Sequence, residues 1–236
     1  MINPFVAILP SAGSGRRFNS DMPKQYSLIS DKTVMEHSLE PLLDFSECLG
    51  ICIPVSYNDI FWKSLKIADN TKISFIEGGE TRLASVKRAV NFWKKSSVVY
   101  ENVLIHDSVR PCVRSSDIRT MLESFSISGD HGAILGSPVI DSLKEVIEVG
   151  GYIKKTVDRN NLWKVFTPQI FLKDVLESAF EGLSKEQDFS DESGLVEQSF
   201  RKIKTYNGSD DNIKITYPED MNLAKSILMT QGRITE

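Results

Sequence analysis

The sequence has no long apolar run, no excess of positive charge and little cysteine, and each shortage closes off a class of protein. Its longest apolar stretches, such as residues 5–9, fall far short of the roughly 18–20 residues that a membrane-spanning helix needs. They also have no basic segment ahead of them, which argues against a secretory signal. Lys and Arg number 28 against 32 Asp and Glu, for a formal net charge of −4. A general nucleic-acid binder draws its affinity from a basic face that neutralises phosphates, so that class is set aside. A small anionic substrate stays open, because a pocket needs only local positive charge. The three cysteines, Cys48, Cys52 and Cys112, form neither a CxxC pair nor an even set. Neither a disulfide framework nor a structural zinc is expected, and a reducing cytoplasm is the natural compartment. Cys48 and Cys52 read as core packing. Repeats and low-complexity tracts are absent as well.

What is present is enough chain, 236 residues and 41% hydrophobic, for one large domain with an appendage. Short Val- and Ile-rich runs at residues 5–9, 50–55, 73–76, 103–105 and 133–135 read as buried strands. Helix-period segments lie between them, at residues 33–45, 59–67, 82–94 and 115–125. This alternation predicts an α/β fold, a mostly parallel sheet flanked by helices on both faces. Ligands of such sheets bind beyond the carboxyl ends of the strands, which directs attention to the loops that follow them.

Two segments break the alternation. From about residue 138 to 166 the pattern is weak and contains Gly150 and Gly151, which predicts a hairpin arm with strands at 143–149 and 152–157. An arm of that size either folds back or embraces a second subunit. Near the C-terminus, residues 202–206 and 212–216 read as two further strands. A helix follows from about Pro218, with Glu219 and Asp220 in its first turn.

Four motifs carry chemistry. After the first strand comes "PSAGSGRRF", where the small residues Ser11, Ala12, Gly13, Ser14 and Gly15 let backbone amides approach a phosphate. Phe18 stands where GxGxxG needs glycine, and no Gly-Lys-Ser/Thr follows, so the dinucleotide and Walker A patterns both fail. With "PKQY" just downstream, Arg16, Arg17 and Lys24 put three cations in one loop. "GGETRLASV" offers Gly78 and Gly79 for close backbone approach, and Arg82 and Ser85 to face a ligand from the first helical turn. "LIHDSVRPCV" ends a buried strand with His106, read as a core histidine, and Asp107, read as functional because an unpaired buried carboxylate is costly. An aspartate there can hold a divalent metal or a ribose hydroxyl, and Arg110 can bind phosphate. Lys214 in "DNIKITYPED" falls inside the alternation of Ile213 and Ile215.

Together with Arg159 in "TVDRNNLW", Thr167 in "FTPQIF" and Ser190 in "FSDES", these segments resemble the cytidylyltransferases of the non-mevalonate isoprenoid pathway, which make 4-diphosphocytidyl-methylerythritol. The resemblance covers essentially the whole chain from Ala7 to the last helix. It implies a Rossmann-like nucleotidyltransferase domain over residues 1–236, with the arm swapped across a homodimer. It also implies that methylerythritol 4-phosphate attacks the α-phosphorus of CTP and expels pyrophosphate. On this resemblance Arg17, Lys24, Arg159 and Lys214 are the catalytic cations. Pro10, Ser11, Ala12, Gly13, Ser14 and Gly15 lie under the CTP, and Gly79, Glu80 and Ser85 read its cytosine. Asp107 supports magnesium or another divalent cation and touches the ribose. The polyol phosphate falls to Arg110, Thr167 and Ser190, with Ser142 and Arg159 supplied by the partner's arm.

Glu80 stands where aspartate is expected, and Ser142 and Ser190 where threonine is usual. "HDSVRP" departs from "HDAARP" at Ser108 and Val109. Ribitol 5-phosphate cytidylyltransferases share Val before that arginine and are the alternative, whereas "TVDRNNLW" and "GGETRLASV" look more like the isoprenoid enzyme. A non-catalytic nucleotide-binding protein of this fold is a rival from another class. No matched cation is missing, which speaks against it, and the broken GxGxxG speaks against a dehydrogenase.

Overall fold

In the computed structural model, described over residues 1–13, 18, 22–147, 150–183, 189–199 and 201–235, strand β1 (Phe5–Ile8) is buried along its whole length. Its side chains alternate between two faces. Phe5, Ala7 and Leu9 enter one core with Leu39, Leu42, Ile118 and Met121, while Val6 and Ile8 enter another with Val86, Ala89, Leu176 and Phe180. Each of the larger side chains here contributes about 1.5–3 kcal/mol by leaving water. A strand covered on both sides has no room for polar alternation, which is why the sequence shows a continuous apolar run there.

After β1 come the short pair β2 (Leu28–Ile29) and β3 (Lys32–Thr33), then helix α1 (Val34–Leu43). A capping box starts α1: the Thr33 hydroxyl accepts from the Glu36 amide, and the Glu36 carboxylate accepts from the Thr33 amide. The chain continues through β4 (Cys48–Val55), β5 (Ile73–Glu77), α2 (Arg82–Lys94), β6 (Asn102–Ile105), α3 (Ser115–Ser128) and β7 (Gly132–Pro138). There follow β8 (Leu143–Val146), β9 (Ile153–Val157), β10 (Trp163–Leu172), α4 (Lys173–Glu181), α5 (Glu192–Glu197), β11 (Ile203–Asn207) and α6 (Asp220–Thr230).

Seven strands form one sheet in the order β11-β7-β10-β6-β1-β4-β5. All neighbours are parallel except β10, which runs antiparallel to both β6 and β7. From β1 the chain moves outward to β4 and β5, then returns to β6 on the other side of β1. The order therefore reverses between β1 and β6, and a crevice opens beyond their carboxyl ends. The α/β architecture with a mostly parallel sheet agrees with the sequence reading.

Four elements differ from expectation. Residues 59–67 make only a 3-10 turn, Phe61–Ser64, instead of a helix. Asp59 accepts from the Phe61 amide and from the Tyr26 hydroxyl, while Phe61 stacks on Tyr26 and Trp62 on Phe75, so local bonding and separate ring partners displace the α-helical ladder. Residues 212–216 join no strand; Ile215 bonds back to Val109, and Arg110 takes the Asn212 carbonyl. Trp163 to Phe166, read as the end of the arm, belong to β10 and pair with β7, Trp163 opposite Pro138. The predicted strand 143–149 is β8, ending at Val146, and residues 148 and 149 lie outside the described set. Within the described residues, β8 and β9 pair only with each other.

Candidate active site

The crevice holds a cleft of about 360 Å³, within the range of small-molecule sites. Its floor comes from the loops after β1 and β6. Ser11 donates its amide to the Pro54 carbonyl, and the Gln25 side chain donates to the Ser11 carbonyl at 3.0 Å, which together hold the loop open. The Ser108 hydroxyl meets the Ser11 hydroxyl at 3.1 Å and ties the two loops.

One wall is the turn into α2. A Cβ on Gly78 would lie 2.6 Å from that of Ala12, and one on Gly79 would lie 2.5 Å from that of Ala84, so only glycine permits this approach. The Ser85 hydroxyl accepts from the Gly79 amide at 3.0 Å and donates to the Thr81 carbonyl at 2.9 Å. Ser85 is thereby spent on shaping the turn. Thr81 caps α2, whose free amides and dipole favour an anion at this end.

Asp107, at the end of β6, gathers the charge. Arg82 Nε reaches its Oδ1 at 3.1 Å; Lys214 Nζ and Arg110 Nε reach Oδ2 at 2.9 and 3.3 Å. Burial alone would raise the carboxyl's pKa, but Arg82, Lys214 and Arg110 outweigh it and hold the group well below the usual carboxylate range. The Asp107 amide donates to the Thr167 hydroxyl at 2.9 Å, and that oxygen lies 3.0 Å from His106 Nδ1. Burial lowers His106 from 6.5 to about 4, so it is neutral at pH 7 and sits as the core residue the sequence suggested. Arg110 also donates to the Asn212 carbonyl at 2.7 Å, and Lys24 donates to the Ile215 carbonyl at 2.6 Å. The two lysines thus stand on adjoining segments.

Of the residues picked from sequence, Pro10, Ser11, Ala12, Gly13, Lys24, Gly79, Glu80, Ser85, Asp107 and Lys214 line the cleft. Arg110 and Thr167 adjoin it through Asp107. Ser14, Gly15, Arg16 and Arg17 lie outside the described residues. Ser142 and Arg159 are exposed on the arm, where Arg159 donates to the Ile140 carbonyl, and Ser190 is exposed before α5; none lines the cleft of its own chain. Lys214 does so from an extended loop instead of the predicted strand. Gln25, Thr81, Ser108 and Val109 were missed, though each sits inside a motif already singled out. Arg82, expected to face a ligand, does line the cleft and is at the same time held by Asp107.

Among the described residues, no group of three or more His, Cys, Asp or Glu side chains is arranged to hold a metal. Both Asp107 oxygens are engaged by cations. A lone carboxylate of this kind could serve a divalent ion only where phosphate oxygens of a ligand supply most of the coordination.

A cleft lined by glycine-rich turns, cations and one buried carboxylate suits a phosphate-bearing ligand. The family model for 2-C-methyl-D-erythritol 4-phosphate cytidylyltransferase matches residues 5–230. The chain belongs to this family. Relatives so named include one from Wigglesworthia glossinidia brevipalpis, 38% identical over 95% of this chain and 96% of its own. Another, from Actinobacillus pleuropneumoniae, is 38% identical over 97% of each chain. The crystal structure of the Francisella tularensis cytidylyltransferase superposes with a TM-score of 0.81 at 29% identity, covering 95% of this chain and all of that one. Membership in this cytidylyltransferase family agrees with the motifs read from the sequence.

Proposed function

We infer that this chain transfers the cytidylyl group of CTP to 2-C-methyl-D-erythritol 4-phosphate in isoprenoid precursor synthesis. A phosphate oxygen of the polyol attacks the α-phosphorus of CTP, the bond to the β-phosphate bridge breaks, and pyrophosphate leaves. Such a transfer asks for alignment and charge stabilisation more than for covalent help. The Asp107-centred cluster at the sheet's switch point carries this reading, because it stores cations where a triphosphate would lie.

In this reading Lys24, Lys214 and Arg17 neutralise the triphosphate and the charge developing at the α-phosphorus. The loop from Pro10 through Gly15 cradles the phosphates, and Gly79, Glu80 and Ser85 face the cytosine. Magnesium or another divalent ion, carried by the phosphates and supported by Asp107, supplies further neutralisation. Arg110, Thr167 and Ser190 take the polyol phosphate, and Arg159 and Ser142 come from the arm of a second copy. Support for that exchange is the arm's apolar surface: Ile140, Tyr152 and Ile153 are 70%, 73% and 64% exposed. Three large apolar side chains left in solvent on one projecting hairpin are consistent with a surface that a second copy covers. The free, buried cysteines suit a reducing cytoplasm, and no described helix is long and apolar enough to cross a membrane.

The deciding experiment measures pyrophosphate release from CTP with methylerythritol 4-phosphate and, in parallel, with ribitol 5-phosphate. Turnover with the first should dominate. Faster turnover with the second would overturn the substrate assignment, and none with either would overturn the reaction.

A further inference from the structure

Arg82 and Glu192 belong to neither substrate in the reading above, yet they are tied to its central carboxylate. Arg82 opens α2, and its guanidinium spans two acids: Nε to Asp107 Oδ1 at 3.1 Å and Nη1 to Glu192 Oε1 at 2.7 Å. Glu192 opens α5 and is completely buried. Among the described residues its Oε2 has no hydrogen-bond partner. Burial pushes its carboxyl above the usual range and Arg82 opposes the shift. A carboxylate kept there for stability alone would be a poor choice, since an apolar side chain of like size serves a core as well or better.

The three cations on Asp107 are not equivalent. Lys214 is 43% exposed at its side chain and contacts Asp107 through one nitrogen. Arg110 is anchored also to the Asn212 carbonyl and lies over the Phe166 ring. Of the three, Arg82 alone is shared with a second carboxylate among the described residues. Lys214, the most exposed of the three, is the best placed to turn toward an incoming phosphate, while Arg82 is restrained by Glu192.

The residue before Glu192 ties the same segment to β10. Asp191 caps α5 by accepting from the Gly194 amide at 3.1 Å, and Gln169 of β10 donates to Asp191 at 3.0 Å. Residues 190–192 are thus pinned to β10 through Asp191 and to α2 through Glu192. We propose that Arg82 and Glu192 are positioning residues, a buried bridge that holds Asp107 in place and fixes the Ser190 segment against the CTP end of the cleft. The proposal rests on the cytidylyl-transfer reading and adds the coupling between its two substrates.

The test compares wild type with Glu192→Gln, Arg82→Gln, Arg82→Lys and the double variant Arg82→Gln/Glu192→Gln. Steady-state kinetics, thermal unfolding and calorimetric titration with methylerythritol 4-phosphate are run on each. Glu192→Gln should raise the KM for the polyol phosphate about tenfold and leave the KM for CTP within about twofold. Arg82→Gln should do the same and also lower kcat. Arg82→Lys, which keeps the charge but cannot fork between two acids, should recover only part of the loss. The double variant should be no worse than Arg82→Gln, because the two act as one unit. Multiplicative losses in the double variant would overturn the proposal. So would wild-type constants in either Gln variant, or losses that track the folded fraction with both KM values unchanged. Should wild type itself fail to release pyrophosphate, the activity reading falls, and calorimetry with the polyol phosphate still decides whether the bridge positions its site.

Discussion

The sheet-end cleft and the hairpin arm are built on opposite principles. In the cleft the charges around Asp107 are mutually engaged: Asp107 meets three cations, Arg82 meets two acids, and Lys24 is bonded to a backbone carbonyl. On the arm the ion pairs, Lys154 and Lys155 with Glu145, lie in solvent, where such pairs add little. Its large apolar side chains are exposed instead of packed. The cleft is therefore preorganised within one chain, whereas the arm leaves apolar surface uncovered by its own chain. Two of the residues proposed for the polyol phosphate, Ser142 and Arg159, are on the arm.

The sharpest way to break this contrast is to remove a cation from the cleft. Lys214→Ala should lower kcat by about 100- to 1,000-fold, the scale seen when one group that stabilises a transition-state charge is lost. Its unfolding midpoint should barely move, because a half-exposed ion pair contributes at most about 1 kcal/mol. Turnover within a few-fold of wild type would show that the cleft is not the reaction centre.

How much of this contrast could be read from the sequence depends on how local the cause is. Phe5 to Leu9, Val103 to Ile105 and the Asp107 that follows were legible, because a strand covered on both faces leaves an uninterrupted apolar run and a lone carboxylate at its end. β10 was not legible. It carries Lys164, Gln169 and Pro168 within ten residues, and proline argues against a central strand. The structure accommodates it with a register irregularity between Phe166 and Gln169. Lys214 was found for a partly wrong reason, since the alternation around it reflects Ile215 packing against α6 and Val109, with no ladder. Glu192 falls inside the "FSDES" segment that the sequence singles out, but its role was not legible, because that role depends on an arginine 110 residues away.

The arm's half of the contrast is sharpened by mixing two inactive variants. In a swapped dimer, Arg159→Ala disables the site its arm reaches, and Lys214→Ala disables the site of its own body. A heterodimer of the two holds one intact site. Equal mixing under conditions that allow exchange should recover about a quarter of wild-type activity, from half the dimers carrying one good site of two. Light scattering should report a dimer for both variants. No recovery from two variants that exchange freely would place Arg159 on the site of its own chain.

The smallest effect expected lies beneath the cleft floor. His106 is fully buried and its imidazole is lowered from 6.5 to about 4, because burial disfavours the cation. The unfolded chain takes up a proton near the ordinary value, and the folded one only near 4. Between those values the unfolded state holds more protons, so stability falls as pH falls. The difference between pH 7 and pH 5 is about 2 kcal/mol from this residue. His37, also buried and lowered, adds a slope of the same sign, and Asp107, held low, contributes loss only below the ordinary aspartate range. Urea unfolding of wild type and His106→Asn at the two pH values isolates the term. The variant should lose less stability on acidification than wild type by about that amount. Equal losses would mean that His106 gains its proton in the folded state, and that the cleft floor is wetter than its packing implies.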